Sequence, residues 1–209
     1  LKKGISFKNG KIIDNYFDPN SIRPINKISE NLSANFNIAN ILSAYVVARI
    51  LNIEFKNFNK VIKNFIGLPH RSELIYQNRF CKIINNSKAT NLDATLKSIN
   101  NYKNIYLILG GKVKEKKFNK ILDYRSKIEK IYLIGESAEM IFKELNKDIA
   151  CEICETLNLA SKKIYLETKN LKKNFTILLA PASASFDQFL NFEDRGNKFK
   201  KKIKLLFDD

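Results

Sequence analysis

Hydroxyl and ammonium side chains lie close together in Ser87-Lys88-Ala89-Thr90-Asn91, directly after an apolar, β-prone run and before a stretch with helical periodicity. Where a strand ends in a polar loop that starts a helix, α/β proteins commonly bind anions. Thr90 also has the type and position of a helix N-cap, with Asp93 reaching back as in a capping box. That alternative leaves Lys88 unexplained, because a cation near a helix N-terminus opposes the helix dipole. The segment therefore favours anion binding.

Two further loops carry groups that suit small or anionic ligands. Gly110-Gly111-Lys112-Val113-Lys114 lets backbone amides and Lys114 approach a ligand, although a plain turn has the same composition. The stretch 180–187 (APASASFD) offers hydroxyls at a helix start, where Asp187 is also a candidate cap. Asn191-Phe192-Glu193-Asp194-Arg195-Gly196 follows in a short helical segment, and Phe192 either closes over a ligand or packs in the core.

Other candidate residues are isolated in the sequence. Arg71 suits bidentate binding of a phosphate or carboxylate, or is a plain surface arginine. His70, the sole histidine, lies beside a proline turn, which favours a structural role over general base catalysis. Cys151 and Cys154 form a C-x-x-C without a second pair, which favours packed cysteines over a metal or redox site. The nucleotide-binding pattern G-x-x-x-x-G-K-[ST] occurs nowhere among the seven glycines.

The loops are expected to meet because they follow strands of one sheet. Apolar, β-prone runs at 80–84, 105–109, 130–134 and 175–179 alternate with helical patterns. This alternation predicts an open, mostly parallel α/β sheet with helices on both faces. Loops that follow parallel strands leave at one edge of a sheet, so four stretches should converge. They are 85–91, 110–117, 135–137 and 180–186.

The first part of the chain has a different pattern. Asn9-Gly10 lies between two short apolar runs, which predicts a hairpin with a type I′ turn. Residues 37–52 and 55–65 then repeat apolar positions at helical spacing, until Gly67-Leu68-Pro69 ends the second helix. A boundary near Gly67 divides the chain into domains 1–67 and 68–209.

Composition and charge restrict the partners. The net charge of +16, from 37 Lys+Arg against 21 Asp+Glu, raises nucleic acid or an acidic membrane surface as candidates. The lysines are scattered, however, without a basic stripe interleaved with aromatic residues, and the run 198–204 reads as the solvated face of a terminal helix. No stretch reaches the roughly 18 apolar residues of a membrane span. Three cysteines, an odd number, suit a reducing cytoplasm. We expect a cytoplasmic protein that binds neither nucleic acid nor membrane.

Taken in order, these motifs resemble the Mur ligase family from about residue 31 to the end: GLPHR at 67–71, NSKATN at 86–91, GGxxK at 110–114, APASASFDQF at 180–189 and NFExRG at 191–196. The resemblance implies an ATP-dependent amide ligase of peptidoglycan precursor synthesis, assisted by Mg²⁺. In that reaction the carboxylate of UDP-N-acetylmuramoyl-L-alanine is phosphorylated, and the amine of D-glutamate attacks the acyl phosphate. It also implies a monomer in which 1–67 is the tail of a central ATP-binding domain and 68–209 a Rossmann-like, glutamate-binding domain.

The resemblance further implies roles for single residues. D-glutamate is expected at Lys88, Thr90, Lys114, Ser185, Phe186 and Phe192, and ATP at Asn40, Arg71 and Asn86. It assigns no catalytic residue and no metal ligand, since the phosphate loop, the Mg²⁺ ligands and the UDP-binding domain are expected upstream of Leu1. The sequence departs from the family pattern at Phe36, where a histidine is usual, and at Asn86, where an aspartate is usual. The alternative is a catalytically incomplete fragment that binds glutamate or nucleotide.

Overall fold

The chain divides at Gly67, where the helical pattern of its first part stops. The computed structural model describes residues 3–25, 28, 37–114 and 117–208, in two units, Leu1–Gly67 and Leu68–Asp209. The first unit contains, in chain order, β1 (Ile5–Lys8), β2 (Lys11–Asp14), β3 (Ser21–Pro24), α1 (Ile38–Ile50) and α2 (Phe55–Asn64).

In the first unit the predicted hairpin and both predicted helices are confirmed. β1 and β2 pair antiparallel, and the residues between them, Asn9 and Gly10, have positive φ angles of 51° and 73°, as a type I′ turn requires. β3 adds a third antiparallel strand in a polar stretch where the pattern predicts none. The hydroxyl of buried Tyr45 on α1 donates to Asp14 Oδ2 at 2.7 Å.

The second unit is the α/β domain that the alternating pattern predicts. Its elements are β4 (Glu73–Gln77), β5 (Cys81–Asn85), α3 (Leu92–Ile99), β6 (Ile105–Gly110), a 3-10 helical stretch (Asn119–Lys127), β7 (Ile128–Ile134), α4 (Ala138–Leu145), β8 (Cys151–Glu155), α5 (Leu157–Thr168), β9 (Phe175–Leu179) and α6 (Phe192–Phe207). The strand order is β4-β5-β9-β6-β7-β8, with β4 antiparallel to β5 and the other pairs parallel.

The sheet has two more strands than the four predicted. β4 and β8 lie at its two edges, where a strand is covered less completely. Their sequences, ELIYQ and CEICE, contain charged residues that break the apolar run by which a buried strand is recognised. The missed strands are therefore the ones whose position in the sheet weakens the sequence signal.

Helices cover both faces of the sheet, as predicted. All six residues of β6 are buried, and they alternate between two cores. Leu107 and Leu109 pack in one core with residues of α3 and α4, whereas Tyr106 and Ile108 pack in the other with residues of α5 and α6. The near-continuous apolar character of the central strands follows from this double burial.

The order of the strands reverses at β9, which makes this strand a topological switch point of the sheet. The chain leaves β5 and β6 toward the face of α3, but it leaves β9 toward the face of α6. β9 is inserted between β5 and β6, so neighbouring loops diverge to opposite faces on both of its sides. Such a switch point at the carboxyl edge is where open α/β sheets bind ligands.

The two cysteines of the C-x-x-C pair pack on opposite faces of the sheet. Cys151 and Cys154 both lie on β8, but Cys151 packs against one core and Cys154 belongs to the other. Burial raises the pKa of each thiol to about 11, which disfavours the thiolate that redox chemistry and metal binding need. The interpretation as packed cysteines is confirmed.

Candidate functional site

The predicted convergence of four loops at the carboxyl edge is confirmed for the residues that the structure describes; 115 and 116 lie outside them. The loop after β9 bonds to the loop after β5 through Ala182 N–H and Ala89 O, at 2.9 Å. It also meets the loop after β6, where Lys112 N–H donates to Ala184 O at 2.9 Å. The loop after β7 joins the same group through Ser137, whose N–H donates to Gly111 O at 3.0 Å.

The amides of the paired glycines are used in contacts between loops, which fits the reading as a plain turn better than amides that approach a ligand. Gly110 N–H donates to Pro181 O at 2.8 Å, and Gly111 N–H donates to Ser137 Oγ at 3.1 Å. Gly111 has a φ of 144°, and a Cβ at this position would collide with Ala184 O. Glycine is required here because another loop, not a substrate, lies against the backbone.

The N-cap of α3 is Asn91, not Thr90 as the sequence suggests. Asn91 Oδ1 accepts from Ala94 N–H at 2.9 Å, and Asp93 lies inside the first turn rather than completing a capping box. Thr90 extends the loop by one residue, and its hydroxyl has no hydrogen-bond partner among the described residues. The Thr90 side chain is therefore free for the ligand role that the family resemblance implies.

Asp187 also has a role other than the predicted helix cap. α6 begins later and is capped by Asn191, whose Oδ1 accepts from Asp194 N–H at 2.7 Å. Asp187 Oδ2 instead accepts from Glu136 N–H at 3.1 Å, which joins the loop after β9 to the loop after β7. The segment predicted as a short helix is the first turn of the 16-residue α6.

A buried polar cluster lies beneath the loop after β5. Asn85 Nδ2 lies 2.9 Å from His70 Nδ1 and 3.3 Å from Gly196 O, while Asn85 Oδ1 accepts from Ser87 N–H at 3.2 Å. Because Asn85 Oδ1 accepts from Ser87 N–H, the amide nitrogen of Asn85 faces His70, an arrangement that suits a neutral ring with Nδ1 as the acceptor. Burial, and then the charge of Lys200, lower the pKa of His70. The structural interpretation of His70 is thus favoured.

Lys88 and Phe192 lie together at the rim. Lys88 is exposed, and its Nζ lies 4.8 Å from the centroid of the half-buried Phe192 ring, a cation–π distance. Phe192 also contacts the His70 ring edge-on, with centroids 6.3 Å apart. Two of the six predicted D-glutamate residues, Lys88 and Phe192, are therefore in contact. Phe192 lies at the rim, the surface that the four converging loops form, rather than in the core.

The other predicted D-glutamate residues differ in exposure. Lys114 is exposed and Thr90 is half-buried, whereas Ser185 is buried and the neighbouring Phe186 is 66% exposed. All four lie on three of the four converging loops, and Ser185 O accepts the amides of Gln188 and Phe189 at 3.1 and 2.9 Å. Their roles in substrate binding stay predictions.

The predicted ATP residues are in both units. Asn40 is exposed on α1 in the first unit, where its Nδ2 donates to Asn37 Oδ1 at 3.3 Å. Arg71 is exposed at the start of the second unit, and Asn86 Oδ1 accepts from Ser72 N–H at 3.2 Å. The amide nitrogen of Asn86 stays available as a donor. Phe36, the departure from the family pattern, lies outside the described residues.

Sequence reasoning missed the residue that links most parts of the site, Arg195. Its guanidinium is fully buried at the start of α6 and contacts backbone or hydroxyl oxygens of Ser87, Ser183 and Ala184. A signal for its burial does exist in the sequence. Arg195 shares the four-residue spacing of Phe199 and Ile203, both buried on the same helix.

The described part of the chain bears on the expectations for metal sites, membrane spans and the basic run at its end. No group of three or more His, Cys, Asp or Glu side chains there could hold a metal ion. No helix there combines the length and apolar character needed to cross a membrane. As predicted, the lysines of the run 198–204 lie outside the buried stripe of α6.

Curated relatives cover almost the whole chain. It is 38% identical over 200 residues to the UDP-N-acetylmuramoylalanine–D-glutamate ligase of Rickettsia bellii, covering 95% of this chain and 44% of that protein. Ligases of the same name from Rickettsia felis and Rickettsia prowazekii are each 38% identical over 205 residues. Each match covers 96% of this chain and 44% of the relative. The chain therefore spans less than half the length of these relatives. No protein-family model matches it.

Solved structures share the fold at low sequence identity. The UDP-N-acetylmuramate-alanine ligase of Thermotoga maritima has a TM-score of 0.66 at 13% identity, covering 97% of this chain and 45% of that one. A pseudomurein peptide ligase type C from Methanothermus fervidus has a TM-score of 0.60 at 17% identity, and the match covers 96% of this chain and 41% of that one. With the motifs gathered at one edge of the sheet, and with relatives 38% identical over nearly its whole length, the chain belongs to the Mur ligase family.

Proposed function

We propose that the protein carrying this chain is an ATP-dependent ligase that joins D-glutamate to UDP-N-acetylmuramoyl-L-alanine in peptidoglycan precursor synthesis. The names of the relatives support this substrate pair. The observation that carries the proposal is the contact among four loops at the switch point of the sheet. Those loops bring Lys88, Thr90, Lys114 and Ser185 to one edge.

The proposed reaction needs groups that hold anions in place. ATP transfers its terminal phosphoryl group to the carboxylate of UDP-N-acetylmuramoyl-L-alanine, giving ADP and an acyl phosphate. The amine of D-glutamate then attacks the acyl carbon, a tetrahedral intermediate forms, and inorganic phosphate leaves as the amide forms. The amine must lose a proton, and we assign no residue of this chain to accept it. Cations aimed at the carboxylates of D-glutamate lower the repulsion between these reactants.

Side chains, rather than backbone amides, would bind D-glutamate in the loop after β5. The amides of residues 86–90 are bonded within the protein, among them Ser87 N–H to Asn85 Oδ1, Lys88 N–H to His70 O and Thr90 N–H to Lys88 O. What this loop offers a ligand is the exposed ammonium of Lys88 and the free hydroxyl of Thr90. We propose that they bind the D-glutamate carboxylates together with Lys114 and Ser185, with Phe186 and Phe192 bordering the pocket.

For ATP we propose candidate contact residues in this chain, and for Mg²⁺ we propose only that the reaction uses it. Asn40, Arg71 and Asn86 are our candidates for contacts with ATP, and each offers an amide or guanidinium donor. The described residues do not provide a carboxylate cluster that fits Mg²⁺, so we derive no step through the metal. That the phosphate loop and the metal ligands lie upstream stays a prediction. So do the assignment of 1–67 to an ATP-binding domain, the cytoplasmic location and the monomeric state.

Turnover by the full-length protein tests the proposal. Release of inorganic phosphate should require UDP-N-acetylmuramoyl-L-alanine, ATP and D-glutamate together, and L-glutamate should not replace the D-isomer. Phosphate release that is independent of D-glutamate would contradict it.

The alternative, a fragment that binds glutamate or nucleotide without turnover, is distinguished by calorimetry. In that case D-glutamate or ATP would bind to the folded protein while no phosphate is released. A nucleic-acid binder, suggested only by the net charge of +16, would give a salt-dependent anisotropy change with labelled DNA.

A further inference from the structure

Arg195 is a buried cation whose hydrogen-bond partners among the described residues are all neutral, although the charge of Asp187 also acts on it. Its side chain is 0% exposed. Nε donates to Ser87 Oγ at 3.0 Å, and Nη2 donates to Ser87 O at 2.9 Å and to Ser183 O at 3.1 Å. Nη1 lies 3.4 Å from Ala184 O. Burial lowers the pKa of Arg195 to about 10, so the guanidinium still carries its charge at neutral pH.

The contacts of Arg195 join two loops that are far apart in sequence. Ser87 belongs to the loop after β5, and Ser183 and Ala184 belong to the loop after β9. A guanidinium is a rigid, planar fork of donors, so the four oxygens that it contacts are held at fixed separations. The Ser87 hydroxyl extends the connection, because it donates to Phe192 O at 2.8 Å while it accepts from Arg195.

The same two loops carry most of the proposed D-glutamate residues. Lys88 directly follows Ser87, and Thr90 lies two residues further on. Ser185 directly follows Ala184. Each proposed ligand group is thus one to three residues from an oxygen that Arg195 holds, while Arg195 itself is closed off from solvent. A small shift of the guanidinium would change the distance between the groups on the two loops.

We propose that Arg195 is a positioning residue of the D-glutamate pocket: it sets the separation between Lys88 and Thr90 on one loop and Ser185 on the other without touching substrate. This inference rests on the proposed function. A buried cation without a hydrogen-bonded carboxylate is costly for folding, and here hydrogen bonds to buried oxygens of both loops offset that cost. The pocket proposal explains why a forked cation is present.

The test compares KM for D-glutamate and KM for UDP-N-acetylmuramoyl-L-alanine in variants of the full-length protein. Arg195→Met keeps much of the side-chain volume and removes the donors, and Arg195→Lys keeps the charge and one contact point. Ser87→Ala removes only the hydroxyl link and is the milder variant if the first two fold poorly. Ile203→Ala, at a buried position two turns further along the same helix, is the matched control for lost stability.

We expect Arg195→Met to raise KM for D-glutamate by about tenfold or more, because misplacement of binding groups by a fraction of an ångström is enough for such a loss. KM for UDP-N-acetylmuramoyl-L-alanine should change by less than about threefold, since we assign none of its contacts to these loops. Arg195→Lys should recover part of the loss, and Ser87→Ala should give a smaller change in the same direction. Ile203→Ala should lower the melting temperature and leave both constants unchanged.

Amide hydrogen exchange separates failure of this inference from failure of the proposed function. In Arg195→Lys, exchange should accelerate at both 86–91 and 180–186, whereas in Ile203→Ala it should accelerate mainly within α6. If both KM values rise together, or if KM for D-glutamate stays within about threefold in folded Arg195→Met, Arg195 is not a positioning residue. If the wild-type protein does not use D-glutamate, the proposed function fails. Separately, if amide exchange in Arg195→Lys is unchanged at either loop, Arg195 does not couple the two loops.

Discussion

The ammonium nitrogen of Lys88, in the loop after β5, lies 4.8 Å from the centre of the ring of Phe192, the first residue of α6. The cation–π contact with Phe192 orients the ammonium group of Lys88, which stays exposed at the surface. This arrangement suits a cation that binds an anionic ligand from solvent.

Removal of either rim lysine should weaken the use of D-glutamate. If the proposed pocket is right, Lys88→Ala or Lys114→Ala in the full-length protein should lower kcat/KM for D-glutamate by about tenfold or more, because each would remove a charge-assisted contact to a carboxylate. Steady-state kinetics measures the change. Lys162→Ala, which removes an exposed lysine from α5, is the control for net charge. Wild-type kcat/KM in both rim variants would mean that the pocket is elsewhere.

The correction of the helix cap predicts opposite behaviour for two neighbouring residues. Asn91→Ala should lower the free energy of unfolding by about 1 kcal/mol, because α3 loses the side chain that accepts from Ala94 N–H. Thr90→Ala should change stability by less than about 0.5 kcal/mol, since its hydroxyl does not cap the helix. Urea unfolding followed by circular dichroism compares them. A larger loss for Thr90→Ala than for Asn91→Ala would restore Thr90 as the cap.

His70 gives a prediction about pH. Its folded-state pKa is lowered from 6.5 by burial and by Lys200, so the folded protein favours the neutral ring. Below pH 6.5 the unfolded chain binds more protons, and the stability contributed by neutral His70 is lost as the pH falls through the folded-state pKa. His70 is the only histidine, so a single imidazole signal in an NMR titration should have its midpoint below 6.5.

A matched variant checks the same prediction by stability. His70→Asn keeps a residue that tolerates the positive φ of 63° at this position but does not titrate. The fall in unfolding free energy between pH 6.5 and pH 5 should be smaller in this variant than in the wild type. An imidazole pKa above 6.5 would show that the ring is held as the cation instead.

In the first unit, Tyr45→Phe should destabilise by leaving the buried Asp14 carboxylate without one donor. Asp14 is 0% exposed, and its other oxygen already accepts from the amides of Tyr16 and Phe17. We expect a loss of about 1–3 kcal/mol of unfolding free energy. Tyr16→Phe removes a hydroxyl from a residue that is 65% exposed and serves as the control. Equal effects of the two substitutions in denaturant unfolding would contradict the prediction.

Local patterns in the sequence determined the frame of this protein. Near-continuous apolar runs predicted the four central strands, because a strand that is buried on both faces has no polar alternation. Asn9-Gly10 predicted the hairpin, because these residues tolerate positive φ. The rule that loops leave parallel strands at one edge was enough to predict which four stretches meet. Each of these signals acts over a few residues or follows from topology.

Only the tertiary structure decided how the polar groups of the meeting loops are used. The amides of Gly110 and Gly111 are bonded to neighbouring loops, Asn91 caps α3, and Arg195 binds Ser87 from 108 residues away. A hydrogen-bonding group has several possible partners at similar energy, and the one that it takes depends on which atoms packing brings within about 3 Å. Sequence spacing does not contain that distance, so the types of the site residues were predictable from the sequence while their partners were not.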